Sequence, residues 1–91
     1  MNGHQKVVVR VLDELMSEYI GGYENSMMDF AEDDEEYIEA KEFLSHPHEE
    51  LINFFYDELM RSTTKVQTEA RFCGKEWITE RISNDLKKMG Y

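Results

Sequence analysis

Thr64-Lys65-Val66-Gln67-Thr68-Glu69-Ala70-Arg71-Phe72 is the stretch on which the fold class turns. Val66, Thr68, Ala70 and Phe72 alternate with Lys65, Gln67, Glu69 and Arg71, the period-two pattern of a half-buried strand. Val66, Ala70, Cys73 and Trp77 also recur at helical spacing. No other run offers an obvious partner strand, and an unpartnered strand cannot satisfy its backbone. The stretch therefore favours helix, with a short strand near residues 64–72 left open.

The flanking segments are helical in pattern. Residues 75–89 place Ile78, Ile82, Leu86 and Met89 on one face, Lys87 and Lys88 suit the helix C-terminus, and Gly90 supplies a stop. Upstream, Pro47 to about Met60 buries Leu51, Ile52, Phe55 and Leu59; Pro47 suits a first helical position and Glu49 can then reach back to the cap. His4 to Ile20 carries Val8, Val11, Leu12, Leu15, Met16 and Tyr19 at three- and four-residue spacing, and Gly21-Gly22 reads as its stop. The β-branched run Val7-Val8-Val9 leaves a short strand there as an alternative. Ser26 to Leu44 reads as a helix, or as two shorter ones if Glu32-Asp33-Asp34-Glu35-Glu36 forms a loop. The expectation is an all-α, compact bundle of about four helices in one domain, residues 1–91. Its core is expected to include Val11, Leu15, Ile38, Leu51, Ile52, Phe55, Ile78, Ile82 and Leu86.

Charge is the informative global property. The formal net charge of the 91 residues is -10. Residues 1–23 carry two bases and three acids (-1), residues 24–60 one base and thirteen acids (-12), and residues 61–91 seven bases and four acids (+3). A polyanion of this kind is a poor ligand for nucleic acid or anionic lipid and a good one for a cationic protein. No apolar run is long enough to span a bilayer, and the N-terminal stretch lacks the uninterrupted apolar region of a signal peptide. The lone Cys73 precludes an internal disulfide, and a cytoplasmic location is expected.

The acids of the middle third are the leading site candidates. Carboxylates three and four residues apart on a helix lie about 5–6 Å apart at their β-carbons, a scale similar to that of phosphates along one DNA strand. Asp29, Glu32, Asp33, Glu35, Glu36 and Glu39 can thus serve as phosphate surrogates toward Lys and Arg of a partner, with Tyr37 or Phe54 as the desolvated anchor. The competing reading is a solvated helix face. Small size, acidity and the helical acidic run from Glu24 to Glu58 resemble phage-encoded inhibitors of host defence, the anti-restriction and anti-CRISPR proteins, several of which mimic nucleic acid. The basic C-terminal third departs from an all-over acidic mimic. The resemblance implies a basic nucleic-acid-binding partner, a defence nuclease above all, whose site the acidic surface occupies. The alternative is a small helical scaffold or regulatory interaction protein, dimeric through exposed aromatics, without mimicry.

Other constellations carry less. His46 and His48 flank a proline, not the i, i+4 spacing of a helical metal pair, so no metal or cofactor is expected. Cys73 lacks a Cys/His signature, and no phosphate loop or nucleophile motif is present, so no catalytic residue is assigned. Phe54-Phe55-Tyr56 implies helices on different sides of its own, or an interface. Lys75, Arg81, Lys87 and Lys88 are diluted by Glu76, Glu80 and Asp85, as in a salt-bridged amphipathic helix.

Overall fold

The computed structural model describes residues 1–91, and every regular element is helical. In order these are α1 (Gly3–Met16), a π-helical turn (Ser17–Gly21), α2 (Gly22–Asp29), α3 (Glu35–Leu44), α4 (His48–Met60), α5 (Thr64–Cys73) and α6 (Lys75–Met89). The chain passes from α1 through the π turn into α2 without a break, so there are five helical rods, one more than expected. Residues 64–72 are helix. Thr63 decides this locally: its Oγ1 accepts from the Val66 N–H at 3.2 Å, an N-cap that a strand could not use. Asn2 caps α1 the same way, in a reciprocal box with Gln5. The Val7–Val9 run stays helical because Val8 and Val9 are buried there.

Two punctuation signals behave differently from their usual reading. Gly21 and Gly22 do not stop the first helix; both sit at right-handed helical angles (φ -60° and -62°). Glycine permits the left-handed conformation without imposing it. Pro47 is the residue before α4 rather than its first helical residue (φ -55°, ψ 148°), and its carbonyl accepts from Glu50 and Leu51 N–H. Glu49 is therefore one position short of a capping box, and α4 has no side-chain cap; Glu49 and Glu50 instead place charge at the positive end of its dipole. The acidic run does break the second helical segment: α2 ends at Asp29 and α3 begins at Glu35. Gly90 stops α6 at φ 94°, with Gly90 N–H donating to Lys87 O and Tyr91 N–H to Leu86 O.

The core lies among α1, α4, α5 and α6. Val8, Leu12, Met16 and Ile20 form one i, i+4 stripe that meets Leu51, Phe55 and Leu59 of α4, Ala70 of α5, and Ile78, Ile82 and Leu86 of α6. Burying each large apolar side chain of this set stabilises by about 1.5–3 kcal/mol. Five of the expected core residues are in it. Val11, Leu15 and Ile52 are only partly buried and pack on its margin. Ile38 is 52% exposed and is no core residue at all.

Nor is the molecule a compact bundle. α2 and α3 fold back on each other as an antiparallel hairpin and leave the core behind. α2 buries no residue and α3 only Ala40. The chain measures 44 × 22 × 17 Å with a radius of gyration of 14.2 Å, against about 12 Å for a compact chain of this length. The hairpin is an arm, and the acidic loop is its tip.

Candidate functional site: an acidic arm on an aromatic joint

The arm, residues 22–44, carries Glu24, Asp29, Glu32, Asp33, Asp34, Glu35, Glu36, Glu39 and Glu42 against Lys41 alone, nine acids and one base for a net of -8. All nine are exposed. The molecule has ion pairs between Arg61 and Glu58 and between Arg81 and Asp85, and histidine–carboxylate contacts between His4 and Glu69 and between His46 and Glu50, and none of these includes an arm carboxylate. Packed like charges of this density repel, and Lys41 is the one base in the arm to set against them.

Part of the arm's acidity has a local role. Asp34 turns the tip: its N–H donates to Ala31 O at 2.9 Å and its Oδ2 accepts from Ala31 N–H at 3.1 Å. Glu35 and Glu36 occupy the first turn of α3, where the helix dipole favours them. Asp29, Glu32, Asp33, Glu39 and Glu42 have no such structural duty.

On an unbroken helix Asp29, Glu32, Glu36 and Glu39 would share one face at three- and four-residue spacing, but the chain takes the other course open to it and the helix is broken between residues 30 and 34. The acids instead spread over the end of α2, the tip loop and α3. On α3, Glu35, Glu39 and Glu42 follow one another at four- and three-residue spacing, opposite Ala40 and Leu44. Tyr37 lies toward the Ala40 and Leu44 side; half-buried, it lines a shallow groove of about 360 Å³ with Glu32, Ile38, Lys41, Glu42 and Ser45. Phe54 does not. It belongs to α4, at the foot of the arm.

That foot is an aromatic joint. Phe54 meets Tyr19 edge-on at 4.9 Å and Phe43 at 5.0 Å, and stacks on Phe55 at 5.2 Å between ring centroids. Phe43 also contacts Tyr23 at 4.6 Å. Phe43 is the arm's contribution, and the consecutive aromatics of α4 serve different neighbours: Phe54 the joint, Phe55 the core, and Tyr56 the Lys75 ammonium, 5.0 Å from its ring centroid. Two phenol–carboxylate bonds flank the joint. Tyr19 Oη donates to Glu58 Oε2 at 3.2 Å and Tyr91 Oη to Glu24 Oε2 at 3.0 Å. Desolvation, reinforced by the adjacent carboxylate, pushes both phenols above their ordinary range. Beside the joint, Phe43, Leu51 and Phe54 floor a groove of about 470 Å³ rimmed by His46, Glu50, Asn53 and Asp57.

The remaining reactive side chains are engaged separately. His48 Nδ1 donates to the Tyr91 main-chain oxygen at 2.9 Å, leaving Nε2 to accept from Ser83 Oγ at 2.8 Å. His46 Nδ1 donates to the Phe43 carbonyl at 3.0 Å. His4 pairs with Glu69 and stacks on Phe72. His46 and His48 therefore turn to different partners and do not share a ligand position. The half-buried Cys73 thiol is pushed up by desolvation and then by Glu69, the opposite of an activated nucleophile.

Sequence reasoning missed Phe43, which ties the arm down, and Met28, and it placed Ile38 in the core, whereas Met28, Phe30 and Ile38 are all exposed on the arm. No protein-family model matches this chain, and neither the curated proteins nor the solved structures include a significant match to it.

Proposed function

We propose that the arm is a docking element for a cationic, nucleic-acid-binding protein and that the protein acts by binding, not by catalysis. The observation that carries this is nine exposed carboxylates on a projecting hairpin, none in an ion pair. Asp29, Glu32, Asp33, Glu35, Glu36 and Glu39 take the place of phosphates before the partner's Lys and Arg, and Tyr37 adds a desolvated contact. Phe54 contributes through the joint rather than from the acidic face. Such a surface accelerates encounter and fixes orientation more than it adds affinity. The activity is inhibition: the arm fills a groove that DNA or RNA would use. In its small size and acidity this is the working mode of phage-encoded anti-CRISPR and anti-restriction proteins, which makes a defence nuclease in the host cytoplasm the favoured target.

A second reading draws on the apolar residues of the arm. Met28, Phe30 and Ile38 are 82%, 42% and 52% exposed. Phosphate mimicry does not need them, whereas a helical scaffold or regulatory interaction protein does. Affinity capture from lysate with the wild type, with E32K/E35K/E36K/E39K, and with M28S/I38S separates the two. Mimicry requires capture to be lost on charge reversal and largely kept in the serine variant, with helix content unchanged throughout. The opposite pattern supports the scaffold reading.

A further inference from the structure

Gly21 and Gly22 lie inside a continuous helical rod, where glycine is destabilising relative to alanine. The usual reasons for glycine are absent at both. Neither has a positive φ; only Gly74 and Gly90 do. A β-carbon added at either would meet nothing within 4 Å, so no close packing demands its absence. Yet the pair sits where the bundle ends and the arm begins, at the exit of the π turn Ser17–Gly21. Glycine pairs and π turns are the usual places where long helices bend.

From this we infer that Gly21-Gly22 is a hinge, and that the arm has a second orientation in which the rod breaks there. The contacts divide cleanly about such a pivot. Tyr19–Glu58 and Tyr19–Phe54 lie wholly on the bundle side, and Tyr23–Phe43 wholly within the arm. None of these is disturbed by rotation at residues 21–22. Besides the return connection of residues 45–47, where His46 N–H and Nδ1 bond back to the Phe43 carbonyl and which must flex with the hinge, the contacts that cross from arm to bundle are Glu24–Tyr91 and the approach of Phe43 to Tyr19, Phe54 and Phe55. These form the latch that holds the arm against the bundle. α2 buries no residue and therefore adds little to it. In the released state either glycine can enter the left-handed region at no steric cost, the conformation that ends helices. The arm then moves as a unit and carries its carboxylates with it. This goes beyond the docking role proposed above and is tested on the free protein, independently of any partner.

The experiment is a spin-label distance measurement between E36C on the arm and K65C on the bundle, in a C73S background. Four versions are compared: no further change, F43A, Y91F, and F43A with G21A/G22A. Circular dichroism verifies that helix content is retained. A single latched distance in the first, a second population in F43A or Y91F, and loss of that population in F43A/G21A/G22A are the expected results. One unchanged distance in all four would overturn the hinge. So would a second population that persists undiminished when both glycines are alanine, since the motion would then lie elsewhere.

Discussion

The Phe43 ring meets the Phe54 ring edge-on, with centroids 5.0 Å apart and planes 86° from one another. One residue belongs to the arm and the other to the bundle, so this contact joins the two parts. α2 is carried by the α1 rod that it continues, whereas α3, of 10 residues, is marginal alone and is held by α2 and by the joint.

Phe43→Ala should therefore loosen the arm before the core. Edge-to-face pairs contribute about 0.5–1.5 kcal/mol beyond area burial. Because Phe43 is only half-buried, the total loss should fall below the roughly 3–5 kcal/mol of a fully buried Phe→Ala change. Hydrogen exchange should quicken across residues 22–44 and stay slow in α4 and α6. Uniform acceleration through the bundle would show that the arm is not a separate unit.

Leu59→Ala and Ile38→Ala should part company. Leu59 is fully buried and should cost about 2–5 kcal/mol in chemical denaturation. Ile38 is half in solvent and should cost no more than about 0.5 kcal/mol. A large loss at Ile38 would mean that a second layer covers the arm.

Ile38 also marks where the sequence stopped being legible. The apolar periods of α4 and α6 and the Gly90 stop can be read directly, because each depends on local chemistry, whereas the break in the acidic run is one of two readings that the sequence leaves open. Which stripe of α1 faces inward could not. Val8-Leu12-Met16-Ile20 and Val11-Leu15-Tyr19 are both apolar, and only the position of α4 to α6 makes the first the centre and the second the margin. Ile38 lies on a helix with one helical neighbour, so one face had to stay open whatever its residues. Gly21-Gly22 misleads as a stop because glycine permits the left-handed conformation without imposing it. Of the candidate site, the acids and Tyr37 were legible as charge and composition. That they occupy a projecting hairpin, and that Phe54 lies at its foot, are consequences of tertiary structure.

The two phenol–carboxylate bonds make the joint sensitive to alkali. Tyr19 and Tyr91 have pKa values raised in the folded state, first by desolvation and then by Glu58 and Glu24. A raised phenol pKa means stability that is complete below the unfolded value of about 10 and is lost as pH rises through the folded one. Unfolding midpoints should fall in that alkaline range, and less so in Y19F and Y91F. Phenolate absorbance should lose its most alkaline component in the same variants. A wild-type midpoint that alkali lowers no more than it lowers those of the variants would refute the assignment.

Cys73 should be a slow thiol. Its pKa is raised by desolvation and by Glu69, so little thiolate is present near neutral pH. Reaction with a disulfide reagent should lag behind that of free glutathione at the same pH and catch up in denaturant. Glu69→Gln should quicken it modestly. A rate matching glutathione in the native state would contradict the burial.

Charge repulsion within the arm should respond to salt in a particular direction. The Debye length shrinks from about 10 Å at 0.1 M to about 3 Å at 1 M, which screens the nine exposed carboxylates from one another. Exchange protection of residues 22–44 should rise with salt, and E32Q/E39Q/E42Q should show the same gain without it. Protection that falls with salt would mean that the arm is held by attractive charge contacts.

The central claim is that the arm stands in for a nucleic-acid backbone, and a competition titration tests it most directly. The partner recovered by affinity capture is bound to labelled duplex DNA and titrated with this protein at several salt concentrations. Mutual exclusion is expected, with the affinity of the protein falling as salt rises and E32K/E35K/E36K/E39K failing to displace the DNA. A ternary complex in which partner, DNA and protein coexist, with the reversed variant bound as tightly as the wild type, would contradict it.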